Sequence, residues 1–199
     1  MAALILALVA GTALASAVPR RDPLERWRPH IDEAAARFQL PPAWIEKVIR
    51  AESAGRSRLN GRPIRSRAGA MGLMQLMPAT WATMRGRLKL GDDPDDPRDN
   101  ILAGSAYLRL MLDRFGYPGL FGAYNLGPTG YARYLAGQRA LPKETSDYLA
   151  KLVGHGPPIA KHVPARPREA LFTFRAGSTD READQVPPPT LFVIHSDAR

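Results

Sequence analysis

Apolar residues recur at helical spacing along most of the chain, and the breaks between stripes fall on proline, glycine and aspartate. Asp22-Pro23 reads as a cap followed by a proline at the first helical position. The helix it opens runs to about Gln39 and turns Trp27, Ile31, Ala34, Ala35 and Phe38 inward. Pro41-Pro42 opens a second helix over 43–53, ended by Gly55. The stretch "GAMGLMQLMP" reads as a short helical turn broken at Pro78, and "PATWATMRGRLKL" as a further helix ended by Gly91. Asp99 is the expected cap of a long helix over 100–115, with Ile101, Leu102, Ala106, Leu108 and Met111 inward and Gly116 closing it. After "LFGAYNLGP" come helices near 128–136 and 143–153. The pattern predicts an all-α or mainly α domain, with Trp27, Trp44 and Trp81 in its core rather than on a sugar-stacking surface.

One position breaks its stripe. In "WIEKVIRAES", Trp44, Ile45, Val48 and Ile49 form the apolar face, and Glu52 continues it. Taking a carboxylate out of water disfavours its charged form and raises its pKa. A carboxyl that keeps its proton near neutral pH can donate it to a leaving oxygen, the group that sugar-cleaving enzymes need. The competing reading is a half-buried glutamate paired with Arg50 or Arg56.

Between the second and third helices, residues 54–67 carry five arginines and no acid. This basic loop reads either as a contact for anionic wall material or as a solvated, flexible segment. Five aspartates between 92 and 99 lack the central glycine and final glutamate of an EF-hand, and Pro94 and Pro97 interrupt them. Their expected work is helix capping and neutralising arginines. Residues 155–199 are proline-rich and read as an irregular tail, with "ALFTF" and "TLFVI" able to pair as a short hairpin. At the other end an uncharged run closes on Ala15-Ser16-Ala17, which predicts a signal peptide over 1–17 without the usual basic start; an uncleaved anchor is the alternative. That leaves the main domain over 18–154.

Composition narrows the chemistry. The 199 residues are 45% apolar with a net charge of +9 and no cysteine, so disulfides, iron–sulfur clusters and thiolate zinc sites are excluded. The charge favours an acidic partner, but no helix-turn-helix, RRM or OB pattern accompanies it, so nucleic acid is not expected. There is no glycine-rich phosphate loop and no histidine cluster with ligand spacing, so neither cofactor nor metal is expected.

Five segments then occur in order: "ES" (52–53), "GAMGLMQLMPATW", "DPRDNILAGSAYL", "AYNLGP" and "ETSDYL". Together they resemble the soluble lytic transglycosylases, bacterial enzymes with a goose-type-lysozyme-like fold. The resemblance covers roughly residues 24–153. It implies a periplasmic or exported enzyme that acts on peptidoglycan strands. Glu52 would serve first as acid on the bond between N-acetylmuramic acid and N-acetylglucosamine. It would then serve as base toward the muramic C6 hydroxyl, giving a 1,6-anhydro product. The substrate supplies its own nucleophile, which is why a second carboxylate is not required. The resemblance also implies substrate contacts from Ser66, Gly72, Gln75, Met77, Tyr124, Asn125, Glu144 and Tyr148. Gly72 would let backbone approach the sugar, Gln75 and Met77 would floor the cleft, and Tyr124 would hold and tune Glu52. Glu144 and Tyr148 would stand at the cleft wall and beside the acid. Two departures stand out: the segment between Glu52 and Ser66 is long and basic, and Leu126 replaces the common alanine. The competing functions are a hydrolysing muramidase and a peptidoglycan-binding scaffold without catalysis. A secretion or conjugation machine, docked through 155–199, is a further expected partner. No stable membrane insertion is expected once the signal is removed.

Overall fold

A computed structural model describes residues 22–154; the expected signal segment and the proline-rich tail lie outside the described residues. The architecture is mainly α. After a single 3-10 turn (Glu25–Trp27) come α1 (Arg28–Phe38) and α2 (Pro42–Ser53). A two-stranded ribbon follows, β1 (Arg58–Leu59) and β2 (Arg62–Pro63), and then α3 (Pro78–Leu88) and α4 (Pro97–Phe115). Three shorter helices complete it: α5 (Gly119–Leu126), α6 (Pro128–Leu135) and α7 (Lys143–Val153). No helix among the described residues is long and apolar enough to cross a membrane.

Proline at the first turn opens α1, α2, α3, α4 and α6, where its missing N–H would have had no partner in any case. The ends differ from the sequence expectation. Asp22 accepts from the Leu24 N–H at 3.0 Å, ahead of the 3-10 turn, and α1 proper starts later. α2 stops at Ala54 and α3 at Lys89, both left-handed, just ahead of the glycines expected to end them. Asp96, not Asp99, caps α4: its carboxylate accepts from the Asp99 N–H at 2.8 Å, and Pro97 fills the first helical position. Asp99 instead accepts the Gly91 N–H at 2.8 Å. The neighbouring aspartates neutralise arginines as expected, with Asp95 on Arg65 and Asp92 on Arg85.

α4 is the central strut, packed against α1, α3 and α5, while α5 in turn carries α6 and α7. Ile101, Leu102, Leu108 and Met111 of α4 meet Ile31, Ile45, Ile49 and Phe121 in one continuous core. Trp81 is buried in that core, and Trp27 and Trp44 are half-buried against it. The Trp27 indole donates to the Gly55 carbonyl at 2.8 Å, which pins the start of the domain to the end of α2.

The segment read as a helical turn at 69–78 is instead a closed loop. Met71 and Leu76 exchange both backbone hydrogen bonds, at 2.9 and 3.0 Å, while Gly72 and Gln75 take positive φ. A right-handed helix cannot run through residues at positive φ, so these two confine any helical turn to Leu73 and Met74. α4 holds this loop from below. Buried Asn100 accepts from the Met74 N–H at 2.8 Å and donates to the carbonyls of Met71 and Pro94 at 3.1 and 2.9 Å. Gly104 leaves room for Met74: a Cβ there would lie 2.4 Å from the Met74 sulfur.

Candidate active site

Glu52 ends α2 on the face that Ile45, Val48 and Ile49 bury, and only 7% of it is exposed. Its Oε1 accepts a 2.8 Å hydrogen bond from the Tyr148 hydroxyl on α7. Its Oε2 is buried and finds no hydrogen-bond partner among the described residues. The cations an ion-paired reading would need are engaged elsewhere. Arg50 forks onto Asp22, and Arg56 Nε lies 3.5 Å from the Ser53 carbonyl. Burial therefore dominates and pushes the Glu52 carboxyl up to about 8. The Tyr148 hydrogen bond and the Lys151 charge oppose the rise, and the Glu144 charge adds to it. At neutral pH the carboxyl holds its proton and has one oxygen fixed and the other unengaged.

α7 is fastened so that Tyr148 stays there. Lys47 of α2 donates through Nζ to the Leu152 carbonyl at 2.7 Å, one turn beyond Tyr148. Burial and the Glu52 charge both hold the Tyr148 phenol well above its ordinary value, so it acts as a donor and not as an acid.

Glu52 opens on a cavity of about 230 Å³ whose wall includes Gln75, Met77, Tyr107, Tyr124 and Asn125. Thr80, Gly127 and Pro128 also line it. Among the described residues, Glu52 is the one carboxylate on that wall. The site is thus built from the end of α2, the closed loop after the ribbon, the middle of α4 and the junction of α5 and α6.

The structure sorts the residues expected from the sequence. Gln75, Met77, Tyr124 and Asn125 are on the cavity wall with Glu52, and Tyr148 contacts the acid directly. Gln75 is held by its own side chain, which donates to the Gly72 carbonyl at 2.7 Å. Tyr124 differs from expectation. Its hydroxyl donates to the Met74 carbonyl at 2.8 Å, so it secures the closed loop, and the hydrogen bond to Glu52 comes from Tyr148. Gly72 is off the wall, and a Cβ on it would fall 2.2 Å from Asn100 Nδ2 and 2.8 Å from the Pro94 carbonyl. Its close approach is therefore to α4 and not to the cavity. Ser66 is also off the wall; its hydroxyl accepts from the Ala70 N–H at 2.9 Å and shapes the turn leading into the loop. Glu144 is off the wall too, and acts on Glu52 through its charge.

Two contributors were not singled out from sequence. Tyr107 lines the cavity, lies 5.3 Å from Tyr124 ring to ring, and has its phenol pushed up to about 12 by burial. Asn100 fixes the loop through three hydrogen bonds. Tyr107 looks like one more apolar position of α4, and an asparagine in a first helical turn looks like a surface residue, so neither announces itself.

Fold and site together define a class: a lysozyme-like helical domain that presents one buried, proton-bearing carboxyl to a cleft. Residues 29–146 match the family model described as the transglycosylase SLT domain, and the chain belongs to that family. It is 34% identical over 135 residues to a transglycosylase of Enterobacteria phage PRD1, covering 67% of this chain and 47% of the relative. It is 34% identical over 100 residues to the soluble lytic murein transglycosylase of Escherichia coli K12, covering 45% of this chain and 14% of the relative. The chain therefore spans about half of the first relative and a small part of the second. Among solved structures it superposes on the 70 kDa soluble lytic transglycosylase of Escherichia coli with a TM-score of 0.58 at 25% identity. It also superposes on an inactive glutamate-to-glutamine mutant of lytic transglycosylase Slt from Pseudomonas aeruginosa, with a TM-score of 0.56 at 28% identity. Each superposition covers 67% of this chain and 24% of the other.

Proposed function

We propose that this protein cleaves peptidoglycan glycan strands without water, with Glu52 as acid and then base. The observation that carries the reading is the state of Glu52: buried, raised to about 8, one oxygen on Tyr148 and the other unpartnered. The proton passes to the glycosidic oxygen as the C1–oxygen bond breaks, and the carboxylate that remains accepts the proton of the muramic C6 hydroxyl. That oxygen bonds to C1 and yields a 1,6-anhydro end, so Glu52 regains its proton and no water is consumed. A single carboxylate on the wall suits this route, because a hydrolase commonly needs a second one as nucleophile or as base for water. Kinship to transglycosylases supports the substrate class.

The test is digestion of purified sacculi with mass analysis of the products. The expected result is 1,6-anhydro ends; reducing muramic ends alone would leave a muramidase, and binding without release a scaffold. Glu52→Gln keeps shape but has no proton to exchange, so it should lose at least ~100-fold in rate while the helical content is unchanged. The relative inactivated by a glutamate-to-glutamine change supports this expectation.

The substrate lies outside the cytoplasm, so this reading makes the protein an exported one. A fitting role is local opening of the wall beside a secretion or conjugation machine, with residues 155–199 as the docking segment. A chain ending at Gly154 would then digest sacculi yet fail to support secretion, and unimpaired secretion would sink that role.

A further inference from the structure

The catalytic helix and the cavity loop are joined by a ribbon whose charge is all of one sign. Residues 54–67 hold Arg56, Arg58, Arg62, Arg65 and Arg67 and no acid. The segment is anchored at its base. β1 and β2 pair around Asn60-Gly61, both at positive φ as a tight hairpin turn requires, and buried Ile64 donates its N–H to the Ser57 carbonyl at 3.1 Å. Bridges from Arg65 to Met71 and from Met71 to Leu76 carry the ribbon into the loop whose Gln75, Leu76 and Met77 line the cavity. The ribbon's base thus runs directly into the loop that lines the cleft.

Arg58 and Arg62, at the tip of the ribbon, form no ion pair with a carboxylate among the described residues. Arg65 forks onto Asp95. Arg58 donates to the Gly61 carbonyl at 2.8 Å, an acceptor that leaves its charge in place. Arg62 is exposed and stands directly opposite Leu59 in the register. Leu59 is 40% exposed, one of two large apolar side chains so exposed among the described residues. The ribbon tip thus offers guanidinium groups beside an exposed branched alkyl group. Like charges gathered in one place raise the local concentration of anions, and a guanidinium fork matches a carboxylate.

We propose that this ribbon reads the peptide stems of the glycan, with Arg58 and Arg62 taking stem carboxylates and Leu59 resting on stem methyl groups. The proposal builds on the glycan-cleaving reading above and deepens it. In a strand of N-acetylated sugars the fixed negative charge resides mainly on the peptides, so a cationic ribbon at the cleft edge selects strands that carry them.

The experiment compares two substrates: native sacculi, and sacculi whose stem carboxylates have been converted to amides with a carbodiimide and ammonia. Rates are measured for the full chain and for R58A/R62A and R62K, none of which alters a residue of the cavity wall. On native sacculi, R58A/R62A should lower kcat/KM about five- to tenfold, as expected for two exposed charge contacts. On amidated sacculi, wild type and R58A/R62A should have equal rates, R62K should retain most of the wild-type preference, and the preference should fade at about 0.5 M salt. Equal losses by the variant on both substrates would make the ribbon merely structural and overturn the proposal. Equal wild-type rates on both substrates would do the same. Inhibition by a phosphate polymer such as teichoic acid, with no preference between the two sacculi, would reassign the ribbon to phosphate. Failure of wild type on both would strike the glycan-cleaving reading itself, a pattern distinct from the other outcomes.

Discussion

Glu52 and Tyr148 form a pair in which each sets the other's behaviour. Burial raises Glu52, and the Tyr148 hydrogen bond moderates that rise by favouring the charged form. Tyr148→Phe removes the moderating donor and leaves a second buried oxygen unpartnered. The sign follows: the folded-state value of Glu52 climbs above about 8. The pH–rate profile should keep its activity to higher pH, while kcat falls roughly tenfold because the carboxyl loses its orientation. An alkaline limb that does not move would show that Tyr148 packs against the acid without tuning it. Glu52 was legible in the sequence because an acid on an apolar stripe is a local, periodic anomaly. Its tyrosine was legible only through the resemblance, which put Tyr148 beside the acid, as found, but gave the holding of Glu52 to Tyr124, whose hydroxyl goes to Met74 instead. Which phenol reaches the acid depends on how α5 and α7 dock, and no spacing within either segment encodes that.

Among the elements, the closed loop after the ribbon matters most to the cavity, and two glycines separate its demands. Gly72 has φ +73 and abuts Asn100 and Pro94, whereas Gly61 has φ +75 and meets nothing within 4 Å. Gly61→Ala therefore adds backbone strain alone and should cost about 1 kcal/mol. Gly72→Ala adds the same strain plus a clash with backbone and a buried amide, and should cost about 3 kcal/mol. It should also raise KM, because Gln75 and Leu76 move with the loop, and denaturant unfolding with parallel kinetics checks both numbers. Similar destabilisation by the two variants would mean that the Asn100 contact gives way freely. Helix cores were legible, since Ile31, Ile49, Leu102 and Leu108 fall where the period places them. Helix ends were less so. Asp96 and Asp99 are both competent caps, and the choice turns on Pro97, whose restricted φ suits the first helical position. The ribbon carried its own signal in Asn60-Gly61, masked by flanks too short and too charged to alternate.

For the whole molecule, the surface ion pairs and the buried Glu52 pull stability in opposite directions along the pH scale. Arg50 holds Asp22 down to about 2, and Arg98 holds Glu33 below its ordinary value. Those groups stabilise the fold above the usual carboxylate range and release it as pH falls through their folded values. Glu52 has the opposite sign. Its folded value is raised, so its contribution is intact below the ordinary 4.5 and is lost as pH climbs toward about 8. The Tm of wild type should therefore peak on the acid side of neutrality. Glu52→Gln should match it near pH 4.5 and exceed it progressively to pH 8, where the gap reaches up to about 4 kcal/mol. Thermal melts across that range check it, and a constant gap would mean that Glu52 titrates in the fold as it does in water. The family was legible from five ordered segments, and it fixed the general layout. The distribution of ion pairs was not, because Arg98–Glu33 and Arg65–Asp95 join residues that meet only after folding.

The two bonds between α2 and α7, Tyr148 to Glu52 and Lys47 to Leu152, join residues near opposite ends of the described chain. During synthesis, α2 leaves the ribosome long before α7 does. Until then Glu52 lacks the burial that α7 adds, the dominant cause of its raised value, so its carboxyl falls back toward the ordinary range. Chains stopped before Lys143 should accordingly digest no sacculi at pH 7. On the proposed reading, a nascent or unfolded chain is harmless to glycan, and activity arrives only with α7, the last of the described helices.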